Sequence, residues 1–189
     1  MPRGIAKDHD EKRAALRKGA AAYFATHGYD RASMTGAARD CGVSKALIYH
    51  YYESKEALLF DILDTHLSEL VEVVENAAQE GLPGLIREVL AAYENADAEH
   101  KLQLDALATL PADMQAPLIG HQRRLVAIMS QQVAVARPDL DADTLRATTM
   151  TVFGILNWFY MWHRPGKGLD RAEYSALAAR FVQGGIAAV

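Results

Sequence analysis

Residues 33–55 read SMTGAARDCGVSKALIYHYYESK, and this stretch restricts the fold of the 189-residue chain more tightly than any other. Gly42 stands between two short helix-forming segments. A sharp corner between helices needs a backbone tolerant of positive φ, which glycine supplies without steric cost. Four residues earlier, Ala38 is small enough for a second helix to cross close by. Ala37, Cys41, Val43, Ile48 and Tyr51 fall where two crossed helices and a preceding one need apolar contacts. Ser44 follows the corner as an N-cap, its hydroxyl accepting from a free backbone N–H of the next helix. The spacing predicts that next helix over 45–51, with Lys45, Ala46, Leu47, Tyr49 and His50 facing outward. Lysine and histidine reach phosphates. Tyrosine donates to a phosphate or touches a base edge, and leucine offers apolar contact to a thymine methyl. This is the spacing of a helix-turn-helix; the plainer alternative is a helical hairpin closed inside an ordinary core.

The remainder reads as helix almost throughout, with no strand alternation of useful length. A first helix over 8–27 carries Leu16, Ala20, Tyr23 and His27 on one stripe and stops at Gly28. Lys7, Lys12, Arg13, Arg17 and Lys18 crowd its early turns, either meeting a nucleic-acid backbone or forming a solvated face. Ser54 caps a fourth helix running to about residue 79, with Glu56 complementing the dipole of its first turn. Gly81 and Pro83 break it. Helices over 85–95 and 99–110 follow, Pro111 opens another that Pro138 closes, and Asp141 caps a helix reaching residue 163. The loop Arg164-Pro165-Gly166-Lys167-Gly168 ends that helix, and Asp170 with Glu173 forms a capping pair for the last one, to about residue 184. The expectation is an all-α chain of about nine helices. Its N-terminal three-helix domain spans 1–53, and a helical body spans 54–189.

Two helices of that body are unusual. Phe153, Leu156, Trp158, Tyr160, Met161 and Trp162 make the helix ending at 163 apolar nearly all round, so it must be covered on more than one side. Tyr174, Leu177, Ala178, Phe181 and Gly185 form a similar stripe on the last helix. Two such helices from each of two copies build a two-fold symmetric four-helix interface. The expected homodimer contacts are Phe153, Trp158, Met161, Trp162, Leu177 and Phe181; the alternative places both helices in the core of a monomer. A small-molecule site needs an apolar wall with a few placed polar groups. Tyr93, His100, Gln103, His121, Asn157 and Tyr160 are the candidates, and Asn157 and Tyr160 lie in the most apolar helix.

Charge divides along the same boundary. The chain carries a net charge of −4, yet residues 1–60 hold ten Lys/Arg against seven Asp/Glu, and residues 61–189 hold ten against seventeen. A positive segment on an acidic protein suits a domain that must bind and release DNA. The single cysteine, Cys41, excludes an intramolecular disulfide and a Cys-cluster metal site. No Walker loop, dinucleotide fingerprint, nucleophile elbow or His-Glu-x-x-His helix is present, so no enzyme, cofactor or metal is expected. The N-terminus has no apolar run, and residues 150–162 are too short and too polar at their ends to span a bilayer, which predicts a cytoplasmic protein with no membrane partner.

GVSKALIYHYYESKEALL, residues 42–59, resembles the signature of the TetR family of bacterial transcriptional regulators. The resemblance is specific over residues 10–65. It implies an all-helical homodimer with an N-terminal reader and a ligand-binding, dimer-forming body joined by a long fourth helix. Family DNA contacts carry over to Ser33 and Thr35 on the second helix, to Ser44, Lys45, Leu47, Tyr49, His50 and Tyr51 around the third, and to Lys55, a phosphate contact, at the start of the fourth. Two departures stand out: Tyr52 where many members carry Phe, taken as neutral, and Leu47 where many carry a small or hydroxyl residue, which changes base preference. The implied function is a repressor released from a palindromic double-stranded operator by a small, largely apolar effector. The tail NWFYMWHRPGKGLDRAEY further resembles regulators whose effectors are acyl-CoA thioesters or related acids, which would engage Arg123, Arg124 or Arg146; the alternative is that these arginines are surface charges. The alternative function is a helical protein–protein adaptor with a vestigial DNA-binding motif.

Overall fold

The computed structural model describes residues 3–164 and 166–189, with side chains from residue 8 onward; Lys7's side chain and Pro165 lie outside the described residues. The helices run α1 (Arg3–His27), α2 (Met34–Asp40), α3 (Lys45–Tyr51), α4 (Lys55–Ala77), α5 (Gly81–Ala92), α6 (Asp97–Ala106), α7 (Ala112–Ala136), α8 (Ala142–Asn157), α9 (Phe159–Trp162) and α10 (Arg171–Ala188). Short 3₁₀ turns follow α4 and α6. Among the described residues the extended pairing is a single isolated bridge, Arg164 to Lys167. The chain is all-α, as the sequence implied. The helix expected over 141–163 is interrupted at Trp158 and forms two segments, which gives ten α-helical segments among the described residues where about nine helices were expected.

Two compact units form, and they are cut differently from the boundary at 53/54: residues up to His66 cluster with Ala98–Leu118, and Leu67–Asp97 with Ile119–Val189. The physical reason is that α4 is one continuous helix and contributes its first half to the reader. In the first unit Leu16, Ala20, Ala21 and Phe24 of α1 pack with Ala37, Ala38, Ile48, Tyr52, Leu58, Leu59 and Ile62, all buried. The α1 stripe is therefore centred on Phe24, while His27 at its end is exposed. The α2–α3 corner turns on Gly42 at φ +69°. Close approach matters at Gly36 of α2. A Cβ there would overlap Tyr23 Oη and come within 2.7 Å of Tyr23 Cζ, with Ser33 Oγ 3.2 Å away. Tyr23 is itself packed against His27, ring centroids 4.3 Å apart. Gly36→Ala is thus expected to destabilise the protein by about 1–3 kcal/mol, read as a lowered midpoint in denaturant, through overpacking. An unchanged midpoint would show that Tyr23 swings aside freely.

In the second unit, α10 lays Ala178, Ala179, Val182 and Ile186 against the bodyward residues Leu82, Leu85, Ile86, Val89 and Leu90 of α5. α10 begins on a complete capping box: Asp170 accepts from the Glu173 N–H, and Glu173 accepts from the Asp170 N–H. It runs four residues past the expected end. Arg137, just beyond α7, donates to the Ile186 and Val189 carbonyls and so holds the far end of α10. Asp141 caps α8 as expected, accepting from the Asp143 and Thr144 N–H groups. α5 starts at Gly81, four residues earlier than expected. Gly81, at φ +73°, ends one helical stretch and opens the next, and Pro83 sits in the first turn of α5, where its missing N–H has no role.

Candidate functional site

α3 is held from one side and bare on the other. Ile48 is fully buried, and Ser44 Oγ accepts from the Leu47 N–H at 3.1 Å, which starts the helix as expected. Lys45, Ala46, Tyr49 and His50 are exposed and Leu47 is half-buried. The Lys45 ammonium lies 5.7 Å from the Tyr49 ring centroid, one helical turn away, so cation and aromatic share a face. Ser33 caps α2 by accepting from the Gly36 N–H at 3.0 Å, and both Ser33 and Thr35 are exposed. His50 meets the Tyr51 ring edge-on at 5.5 Å. On Tyr51's other flank lies His9 of α1, centroid 4.7 Å away, a contact no local pattern announces.

Two residues do more than the sequence reading gave them. Lys55, expected as a phosphate contact, donates to the Tyr29 and Ala32 carbonyls at 3.0 and 3.2 Å and lies 4.2 Å from the Tyr29 ring centroid. It clamps the turn between α1 and α2. Tyr51, expected as an apolar contact as well as a DNA contact, is half-buried, and the ring that enters the core is its neighbour Tyr52. Cys41 is half-buried, and loss of solvent pushes its thiol pKa up. The basic early turns of α1 are neither a bare DNA face nor merely solvated. Lys12 pairs with Asp8 at 2.7 Å, Arg13 and Arg17 with Asp61 at 2.8 and 3.5 Å, and Lys18 with Glu99 at 2.9 Å.

A family model for bacterial regulatory proteins of the tetR family matches residues 16–62, and a tetracyclin repressor-like C-terminal domain matches residues 75–186. The chain belongs to the TetR family. A TetR-family transcriptional regulator from Bordetella parapertussis 12822 shares 33% identity and the fold, with a TM-score of 0.81 over 90% of this chain and 92% of that one. The HTH-type transcriptional repressor Rv1474c of Mycobacterium tuberculosis is 29% identical over 77% of this chain and 80% of its own. AibR, whose crystal structure holds isovaleryl coenzyme A and operator DNA, has a TM-score of 0.76 at 21% identity over 89% of this chain and 96% of its own. This TetR-family chain is a DNA-binding transcriptional regulator, and the family is not one of enzymes. Among the described residues no helix is long and apolar enough to cross a membrane.

The six candidate effector residues of this regulator fall in both compact units. In the second unit Tyr93 and Asn157 meet: the buried Tyr93 hydroxyl donates to Asn157 Oδ1 at 3.0 Å, and burial pushes the phenol pKa up. His121 and Tyr160 are half-buried in the same unit. In the first unit His100 is buried edge-on to His66, centroids 6.3 Å apart, and Gln103 follows one turn along α6. Burial, then His100, then Lys18 lower the His66 pKa to about 4, which keeps that ring neutral at pH 7. Of the three arginines offered for an acid, Arg124 pairs with Glu75 at 2.8 Å, and Arg123 and Arg146 are exposed.

The expected dimer residues form a surface. Trp158, Met161, Trp162, Leu177 and Phe181 are exposed, Phe181 by 68%, and Phe153 is half-buried. Trp158, Trp162, Leu177 and Phe181 line an apolar groove of about 580 Å³ between α8, α9 and α10; Phe153 and Met161 are not among its lining residues.

Proposed function

We propose that this regulator is a homodimeric repressor that leaves a palindromic operator when a small, largely apolar effector binds its body. The observation that carries this reading is the bare face of α3, where Lys45 and Tyr49 share one side and His50 flanks them, on a helix anchored through Ile48. Lys45, His50, Ser33, Thr35 and Ser44 contact phosphates, and Tyr49, Leu47 and Tyr51 meet base edges. Lys55 acts chiefly by holding the α1–α2 turn and offers its third N–H to the backbone. Two copies joined along α8–α10 present two such helices to successive major grooves, about 34–36 Å apart. An effector that prefers a body conformation with a different reader separation lowers operator affinity by its differential affinity for the two states. A coupling of roughly 1–3 kcal/mol gives a change of about 5–150-fold.

The effector class is an acyl-CoA thioester or a related acid. The tail resemblance supports this, as does AibR, a structural relative that binds isovaleryl coenzyme A. Tyr93 and Asn157 orient such a ligand in this reading, the ligand replacing one partner of their mutual hydrogen bond. The test is fluorescence anisotropy with inverted-repeat duplexes from the flanking DNA. Log affinity is expected to fall linearly with log salt, losing about 10³-fold or more between 50 and 200 mM as phosphate counterions return. Isovaleryl coenzyme A is then added to the complex, and dissociation is expected. Absence of duplex binding at low salt would remove the repressor reading; binding insensitive to acyl-CoA would remove the effector class alone.

A further inference from the structure

The corner between the reading helix and α4 is only Tyr52, Glu53 and Ser54 long, and one carboxylate governs it. Tyr52 leaves α3 in extended conformation, φ −138° and ψ 119°, and turns its side chain into the core, where 4% of the residue stays exposed. Its hydroxyl donates to Asp61 Oδ2 at 2.7 Å, nine residues on along α4. Asp61 Oδ1 accepts from Arg13 Nη2 at 2.8 Å, and Arg17 Nη1 lies 3.5 Å from Oδ2. Arg13 also covers the Tyr52 ring, its guanidinium carbon 5.7 Å from the centroid. One half-buried carboxylate therefore ties α1, the end of α3 and α4 together. Burial pushes the Tyr52 phenol up to about 12, so the hydroxyl stays a donor throughout the physiological range.

The direction of the bond matters. A phenol that donates to a carboxylate fixes the ring's position along α4, whereas packing alone lets a flat ring slide. The two arginines neutralise Asp61 from α1, and Arg13 also stacks on the Tyr52 ring, but neither ties that ring to α4 except through Asp61. The Tyr52 hydroxyl is a polar contact that joins the end of the reading helix to the helix that leads into the second compact unit.

We propose that the Tyr52 hydroxyl and the Asp61 carboxylate form a latch that sets the angle of α3 on α4, making both positioning residues for half-site spacing. The proposal rests on the reading of the protein as a dimeric operator binder. A reader held at one angle tolerates one separation between half-sites; a reader that slides tolerates several. The experiment compares full-length wild type, Tyr52→Phe, Asp61→Asn and the double variant. Each is titrated onto its inverted-repeat operator and onto operators with one base pair inserted or removed between half-sites. Wild type is expected to bind the altered spacings at least about tenfold more weakly, one charge-assisted hydrogen bond being of that order. In Tyr52→Phe that discrimination is expected to shrink to about threefold or less. The double variant is expected to match the worse single one, because Tyr52→Phe removes the bond that Asp61→Asn strips of its charge. A general loss of folding would instead weaken all three operators alike. Tyr52→Phe that keeps the wild-type discrimination overturns the latch, as do single effects that simply multiply in the double variant. Wild-type protein that binds no inverted repeat overturns the dimeric-operator reading, and the latch with it, before any variant is made.

Discussion

Phe181→Glu is expected to convert the protein to monomers at micromolar concentration and, in the same variant, to abolish tight operator binding. Phe181 is 68% exposed on α10, beside Trp158, which is 59% exposed, and Leu177. A contiguous apolar surface of this kind on a folded chain marks an interaction site. Burying one phenylalanine stabilises an interface by about 1.5–3 kcal/mol, and a two-fold axis counts the change twice. A glutamate in its place adds the cost of desolvating an unpaired charge on each side. The combined loss exceeds roughly 3–6 kcal/mol, about 10²–10⁴-fold in the dimer constant. A monomer then reaches one half-site only and loses the second reader's phosphates. Native mass spectrometry and anisotropy read the two losses side by side. Leu104→Glu, on an exposed site of α6 in the first compact unit, serves as the control and is expected to stay dimeric. A Phe181→Glu protein with unaltered mass would move the interface off α8–α10.

The parts of this molecule that local chemistry encodes were legible in the sequence. Gly42, Ser44 and Ile48 lie within seven residues and define α3 almost without help from the rest of the chain. The Asp170–Glu173 box and the Asp141 cap are likewise local, and both stand where the residue types demanded. What escaped is what depends on distant partners. Arg13 meets Asp61 across 48 residues, and Tyr93 meets Asn157 across 64. No periodicity signals either pair, so the α1 cations read only as nucleic-acid backbone contacts or a solvated face. Tyr52 read as a neutral exchange for phenylalanine because its hydroxyl's acceptor lies on another helix. The start of α5 was misplaced for a different reason: a glycine at positive φ followed by a proline reads as a break, and the same pair also opens a helix.

Tyr49→Ala is expected to weaken operator binding by about 10²–10⁴-fold while leaving the dimer and its melting temperature near wild type. Tyr49 is 44% exposed and stands one turn from Lys45, so its removal opens no core cavity. Alanine is the best helix former, so α3 keeps its shape. A good base-edge contact contributes about 1–3 kcal/mol, and the dimer carries two copies. Lys45→Ala separates a different term. Losing a phosphate contact in each half-site weakens all sequences alike and flattens the log–log salt slope by about two, one for each copy. Tyr49→Ala should instead leave the slope nearly unchanged and relax the preference for one base, the pattern of a residue that reads rather than anchors. Tyr49→Phe divides the tyrosine further: if the ring does the reading, it retains most of the affinity, and if the hydroxyl does, it resembles the alanine variant. A Tyr49→Ala protein that binds its operator as wild type does would mean that α3 lies across the backbone with another face in the groove. The Ser33 and Thr35 end of α2 would then be the first place to look for the contacts that specify sequence.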